Sequence, residues 1–207
     1  MTPLKKGYNF KDKDVILNFR GNTWFISQDR GKNWTGPYTF PTYGRPALLA
    51  RTDYIVEGPK RITAFVAAAK TKGDEGQTLC IRTEDGGVTW DKVGWIGTEP
   101  PEDYGYAIMP ATIGLKDGNY LCFVRRGGRF DGKKSWWIEP YVSADEGKSW
   151  YLLKEPRINN AGNPATLTRL ANGDIALAYG WRLPPYGIRA RISKDEGQTW
   201  TAERILR

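Results

Sequence analysis

Apolar residues along this chain come in short runs, and the runs recur in a fixed order. Three of them open on a Pro-Ala pair: Pro46-Ala47-Leu48-Leu49, Pro110-Ala111-Thr112-Ile113 and Pro164-Ala165-Thr166-Leu167. A turn signal follows each (EGPK, KDGN, ANGD), then an apolar run (RITAFVAAA, YLCFVRR, IALAYGWR). A third extended run comes next (TLCIR, WIEPYVS, GIRARIS). Runs of this length, bounded by Gly, Asp and Asn, predict strands joined by tight turns. Helix-favouring residues cluster only in Ala67-Ala68-Ala69-Lys70, too few to hold a helix alone.

Every third run ends in the same octamer. SQDRGKNW (27–34), TEDGGVTW (83–90), SADEGKSW (143–150) and SKDEGQTW (193–200) share the form Ser/Thr-x-Asp-x-Gly-x-x-Trp. Self-similarity at this period marks a propeller or another repeat array. The residue types read as a turn. Asp29, Asp85, Asp145 and Asp195 can accept hydrogen bonds from backbone N–H groups two or three residues on. The Gly supplies a positive φ. Trp34, Trp90, Trp150 and Trp200 would each place a large ring between neighbouring sheets. These Asp residues are therefore expected to be scaffold, neither acids nor metal ligands.

Four strands per unit, with the box as the third turn, predict an all-β fold: a β-propeller built of four-stranded antiparallel blades. A single domain over 1–207 is expected, with blades at about 1–40, 41–97, 105–157 and 160–207. Three blades are full. The first is partial, with Thr2-Pro3-Leu4 as a decayed inner strand. About four blades must either close as a small ring or be completed by oligomerisation, and a homo-oligomer is the expectation. A fragment whose partner chain supplies the rest is a further option.

Composition then removes chemistry. The chain has no histidine, which excludes Ser-His and Cys-His nucleophile pairs and the commonest metal ligand. No metal and no cofactor are expected. Cys80 and Cys122 lie inside apolar runs and read as buried free thiols. The net charge of +8 could suit nucleic acid, an anionic glycan or a membrane surface. The basic residues are scattered, so nucleic acid is not expected. No run is long enough to span a membrane. The basic start MTPLKKGYNF is followed by no apolar stretch, so no signal peptide is expected and the compartment is left open.

Strand parity separates the faces. In an up-and-down blade the first and third turns share one face with the boxes. The second turns and the connections between blades share the other. That other face receives the long loops 35–45, 70–77, 97–107, 125–135, 155–163 and 181–187, and loops on a rigid scaffold carry binding. It also carries Arg45, Arg125, Arg126, Arg129 and Arg182, with Arg189 just inside the next strand. Arg45, Arg125 and Arg182 fall nearest the propeller axis, one from each of three consecutive blades. Guanidinium groups converging there suit a carboxylate. Asp74 and Glu75 share this face, and Asp74 is the candidate general acid. Each of these residues also has a plain reading, as a solvated or ion-paired surface group.

The four boxes resemble the Asp-box, or BNR, repeats of the sialidase superfamily, whose catalytic members are six-bladed propellers. YGRPALLA resembles the segment that supplies the first arginine of the sialidase carboxylate clamp, which makes Arg45 a clamp residue. AFVAAAKTKGDEGQTLCIRTEDGGVTW resembles the segment with the catalytic Asp, which makes Asp74 the acid/base. The resemblance implies a protein that binds or hydrolyses an anionic, sialic-acid-type sugar. It implies no nucleophile here, although sialidases use a Tyr. Tyr43, Tyr104, Tyr106 and Tyr186 lie on the loop-rich side. The alternative is a non-catalytic propeller that binds a glycan or a protein.

Overall fold

A computed structural model describes residues 4–207, the side chains at 50 and 51 excepted. Thr2 and Pro3, the start of the expected decayed strand, lie outside the described residues. Sixteen strands account for the regular structure, and no helix occurs among the described residues.

The strands follow the apolar runs. β1 (Ile16–Arg20), β2 (Thr23–Ser27) and β3 (Thr35–Thr39) form a three-stranded antiparallel sheet. β4 (Leu48–Val56), β5 (Ile62–Ala69), β6 (Glu75–Thr83) and β7 (Asp91–Trp95) pair in sequence order, antiparallel throughout. β8 (Tyr106–Gly114), β9 (Tyr120–Phe130), β10 (Lys133–Ser143) and β11 (Tyr151–Leu152) do the same, and β12 (Ile158–Asn159) adds to β10. One parallel bridge, Gln77 to Ala107, joins these two meanders into a nine-stranded sheet. β13 (Ala165–Arg169), β14 (Ile175–Trp181), β15 (Gly187–Ser193) and β16 (Arg204–Ile205) make the last meander. None of the three sheets closes on itself among the described residues.

Three apolar clusters fill the seams between successive meanders. Phe19, Trp24, Phe40 and Trp90 lie in the first, Phe65, Cys80, Cys122 and Tyr141 in the second, and Leu121, Phe123, Leu177 and Tyr179 in the third. Both cysteines are free and buried, as expected. β5 shows why the alternation is invisible in its sequence: all eight residues are buried, because it is packed on both faces.

The box turns are built alike. The Ser/Thr hydroxyl donates to the Asp carboxylate at 2.8–2.9 Å and accepts the Gly N–H at 2.7–2.8 Å. The Asp accepts from the N–H four residues on, in Asn33, Thr89, Ser149 and Thr199. The expected N–H three residues on, at Lys32, Val88 and Lys148, also helps to hold Asp29, Asp85 and Asp145 low. The residue after the Asp is left-handed in every box, at Arg30, Glu146 and Glu196 (φ 58–60°) and at Gly86 (φ 81°). The Trp residues are not equivalent. Trp90 is 4% exposed, Trp150 and Trp200 are half-buried against the second and third clusters, and Trp34 is 43% exposed. Trp34 thus does not pack between sheets, because no described meander lies on its outer side.

These turns set an acid limit. The N–H of Asn33 and then its side chain hold Asp29 down at about 2, and the Ser149 hydroxyl and then its N–H hold Asp145 at about 2. Thr199 lowers Asp195, and the hydrogen bonds to Asp85 outweigh its desolvation. An unfolded Asp titrates near 3.9, so between about pH 4 and 2 the unfolded chain binds more protons. The contribution is therefore complete above about pH 4 and fades below it. Asp53 opposes this, since burial raises it, but it is one group. The urea midpoint is expected to hold above pH 5 and fall steadily from pH 4 to 2. A midpoint that stays level to pH 2.5 contradicts the box assignment.

Candidate functional site

Strand direction puts the starts of β8 and β10 and the ends of β7, β9 and β14 on one side of the molecule, opposite the boxes. On that side arginines lie over aromatic rings. Arg45 stands 4.5 Å over Trp95, Arg125 4.6 Å over Tyr106, Arg126 5.9 Å and Arg157 4.6 Å over Trp137, and Arg189 3.8 Å over Trp181. Cation–π pairs occur roughly once per 70–80 residues. With Arg129 5.5 Å over Tyr104, six arginine stacks on one face are therefore a local concentration.

Most of these cations already hold a carboxylate of the chain. Arg45 grips Glu99 with both Nη atoms, Nη2 to Oε2 at 2.9 Å. This bond holds the Glu99 carboxyl below its ordinary range and raises Arg45. Arg126 and Glu139 form an ion pair at 3.0 Å, too bent at Nε for a hydrogen bond. Glu139 also accepts from Trp137 Nε1 at 2.6 Å and from the Tyr141 hydroxyl. Arg189 meets Glu203 at 2.5 Å, and Glu203 also accepts from Tyr179 Oη at 2.5 Å.

Arg125 differs. It is half-buried on β9, its Nη1 lies 3.3 Å from Met109 Sδ, and its buried Nε has no hydrogen-bond partner. Among the described residues no carboxylate is within ion-pair distance of it. Alternation along β9 turns Arg125 and Arg126 to opposite sides. Arg126 faces the seam with the preceding meander. Arg125 and Tyr106 face the seam with β13–β16, as do Tyr179, Trp181 and Arg189 on the other wall.

The remaining expected residues are spread out. Arg182 is exposed in the β14–β15 connection. Asp74 is exposed at the tip of the β5–β6 hairpin, where its carbonyl accepts the Lys70 N–H at 2.8 Å. Lys70 itself is 2% exposed and donates to Pro101 O at 2.8 Å. Among the described residues no group of three or more Cys, Asp or Glu side chains is arranged to hold a metal ion.

Two things escaped the sequence. The expected loop 125–135 is mostly strand, since β9 and β10 pair from Lys133–Phe130 inward. Gly127 and Gly128 read as turn residues, but they serve close packing. A Cβ on Gly127 would lie 2.5 Å from the Tyr106 ring, and one on Gly128 2.9 Å from the Trp137 ring. The acidic partners Glu99, Glu139 and Glu203 were also missed. Glu139 alone left a signal, as a charge inside the apolar run WIEPYV.

Comparison with known proteins fits this picture. The family model described as a BNR repeat-like domain matches residues 17–207. No curated protein sequence matches the chain. Among solved structures, a protein of unknown function from Dyadobacter fermentans superposes with a TM-score of 0.70 at 22% identity, covering 89% of this chain and 52% of its own. An α-L-arabinanase of Penicillium chrysogenum, complexed with arabinobiose, gives 0.61 at 17% identity, covering 97% and 62%. The NanB sialidase of Streptococcus pneumoniae gives 0.58 at 17% identity, covering 89% and 28%. The likeness shows a shared fold. The chain spans about half to three fifths of the length of the first two.

Proposed function

The chain belongs to the BNR repeat-like domain family, and from that premise we propose a glycan-active propeller whose loop-rich face binds a sugar carrying a carboxylate, with Arg125 meeting the charge. One observation carries this reading. Arg125 is the half-buried cation of the face whose guanidinium no carboxylate reaches among the described residues, while Arg45, Arg126 and Arg189 are each held by a glutamate. An oriented guanidinium that is already partly desolvated can pair a carboxylate at little further cost. Arg189 sits on the opposite wall of the same seam, and Arg182 lies beyond it in solvent. Arg45 would join a clamp only by exchanging Glu99 for the ligand.

The similarity to a sialidase and to an arabinanase supports a glycan ligand of this general kind. The same proposal takes the four meanders as blades at about 1–40, 41–97, 105–157 and 160–207, closed as a four-bladed ring or by a second copy. Light scattering separates these by giving one chain mass or two. Hydrolysis would need Asp74 as proton donor. Its exposed position at a hairpin tip favours the second reading, a binding module without catalysis.

The test is a titration with N-acetylneuraminic acid and with its methyl ester. The acid is expected to bind at least 10-fold more tightly, and Arg125→Ala to lose 10- to 100-fold for the acid alone, the worth of one charged hydrogen-bonded contact of about 1.5–3 kcal/mol. Equal binding of acid and ester, or an Arg125→Ala variant that binds like the parent, defeats this reading.

A further inference from the structure

The residues just before the boxes differ from seam to seam. Ile26, Arg82 and Val142 each stand one residue ahead of the box Ser or Thr, and their cross-strand partners are Leu17, Thr63 and Leu121. By strand parity all three pairs face the next meander.

In the first seam this pair is covered by the chain's own residues 4–10, LKKGYNF, which run over the second box turn. The Tyr8 N–H donates to Gly86 O at 2.9 Å, the Phe10 N–H to Pro59 O at 2.8 Å, and Lys60 Nζ to Gly7 O at 2.6 Å. Gly7 passes so close that a Cβ there would lie 1.8 Å from Asp85 O. Phe10 joins the cluster of Leu17, Trp24 and Ile26 and is 4% exposed. The Tyr8 and Tyr38 hydroxyls share a hydrogen bond of 2.7 Å. In the second seam the pair is polar and is satisfied from within. Arg82 donates to Thr63 Oγ1 at 2.9 Å and to Glu146 O at 2.6 Å, and Arg61 pairs with the Glu146 carboxylate at 2.7 Å.

The third seam has the apolar pair of the first and, among the described residues, no segment over it. A groove of about 460 Å³ opens there, lined by Leu121 and Val142 with Leu115 and Leu153 beside them. That volume lies in the range of ligand pockets, about 300–1,000 Å³. Glu196 and Lys154 also line it. Counted from their boxes, they hold the places of Gly86 and Tyr38, the two residues that Tyr8 bonds in the first seam. The groove is therefore the place that the strap of residues 4–10 fills two meanders earlier. Its charged lining is Asp117, Glu155 and Glu196 against Lys154, an acidic excess on a chain of net charge +8. Arg169 holds Glu196 at 2.8 Å, whereas Glu155 is exposed and Asp117 accepts from Asn119 in its own turn.

We propose that this groove docks an extended basic segment of a partner protein, which lays a Tyr or Phe side chain on Leu121 and Val142 and sets its cations by Asp117 and Glu155. The strap shows the chemistry required: two lysines, then Tyr-x-Phe across a box turn. The groove lies on the box side of the molecule, so it does not depend on the sugar reading.

The test uses a fluorescent peptide of the strap sequence, LKKGYNF, titrated by anisotropy into the whole chain, with hydrogen–deuterium exchange to locate it. The parent is expected to bind and to gain protection at 151–155 and 193–198. Replacing Tyr8 and Phe10 by Ala in the peptide should weaken binding about 10-fold or more, as for anchor residues in a pocket. Val142→Arg in the protein should do the same, since it places in the third seam the arginine that already fills the second. Asp117→Lys with Glu155→Lys, a surface change that leaves the apolar wall intact, should weaken binding about 3- to 10-fold at low salt. A parent that does not bind the peptide, or a folded Val142→Arg protein that binds like the parent, overturns the proposal. Protection confined to 83–90 also overturns it, because the peptide then only displaces the strap. A dimer in light scattering that Val142→Arg abolishes would make the occupant the strap of a second copy and overturn the choice of partner.

Discussion

Trp90→Ala is expected to destabilise the protein by about 3–5 kcal/mol, the range for truncating a buried aromatic. Trp90 is 4% exposed and sits where the first two meanders meet. Its ring is edge-on to Phe19 at 5.9 Å, Trp24 at 6.0 Å and Phe40 at 5.1 Å. The Tyr43 hydroxyl donates to its carbonyl at 3.0 Å, tying the loop before β4 to the box. Removing the ring leaves a cavity that three large aromatic neighbours cannot close together. Trp34 has the same place in its box but is 43% exposed. Trp34→Ala should cost about 1 kcal/mol or less, as at other surface positions. Urea denaturation of both variants checks the contrast. Similar losses for the two would mean that the box Trp acts within its own turn and not through the seam.

The second large effect concerns Glu139. Its side chain and that of Arg126 are both about one-tenth exposed, at 10% and 11%. Glu139→Ala strands the Arg126 charge in the seam and orphans Trp137 Nε1 and the Tyr141 hydroxyl. Breaking a buried pair from one side costs about 3–5 kcal/mol. Replacing both partners by apolar residues of similar volume, Arg126→Met with Glu139→Leu, should recover much of that loss, because no charge is then left unpaired. The double-mutant comparison by urea denaturation decides it. A Glu139→Ala protein as stable as the parent, or a double variant worse than both singles, would show that the pair is not the source of the effect.

Much of the fold is legible because local chemistry dictates it. The four boxes fix four turns, and the Pro-Ala strands fix the starts of β4, β8 and β13 to within a few residues. Strand parity then separates the scaffold face from the loop-rich face with no knowledge of contacts. The site is less legible, because its chemistry is decided across seams. Arg45 and Glu99 are 54 positions apart, and no spacing rule joins them. Arg126 and Glu139 meet because β9 and β10 continue through two glycines that local propensity reads as a turn. β12 was missed for a similar reason. Ile158 is a single apolar residue between polar ones, too little pattern for a strand.

The central claim is that the glycan meets the face opposite the boxes. Hydrogen–deuterium exchange with and without N-acetylneuraminic acid tests it most directly. Protection is expected at 104–109 and 124–128, with the box turns at 27–34, 83–90, 143–150 and 193–200 unchanged. Protection confined to the box turns, or to the outer strands β3, β7 and β11, would contradict it.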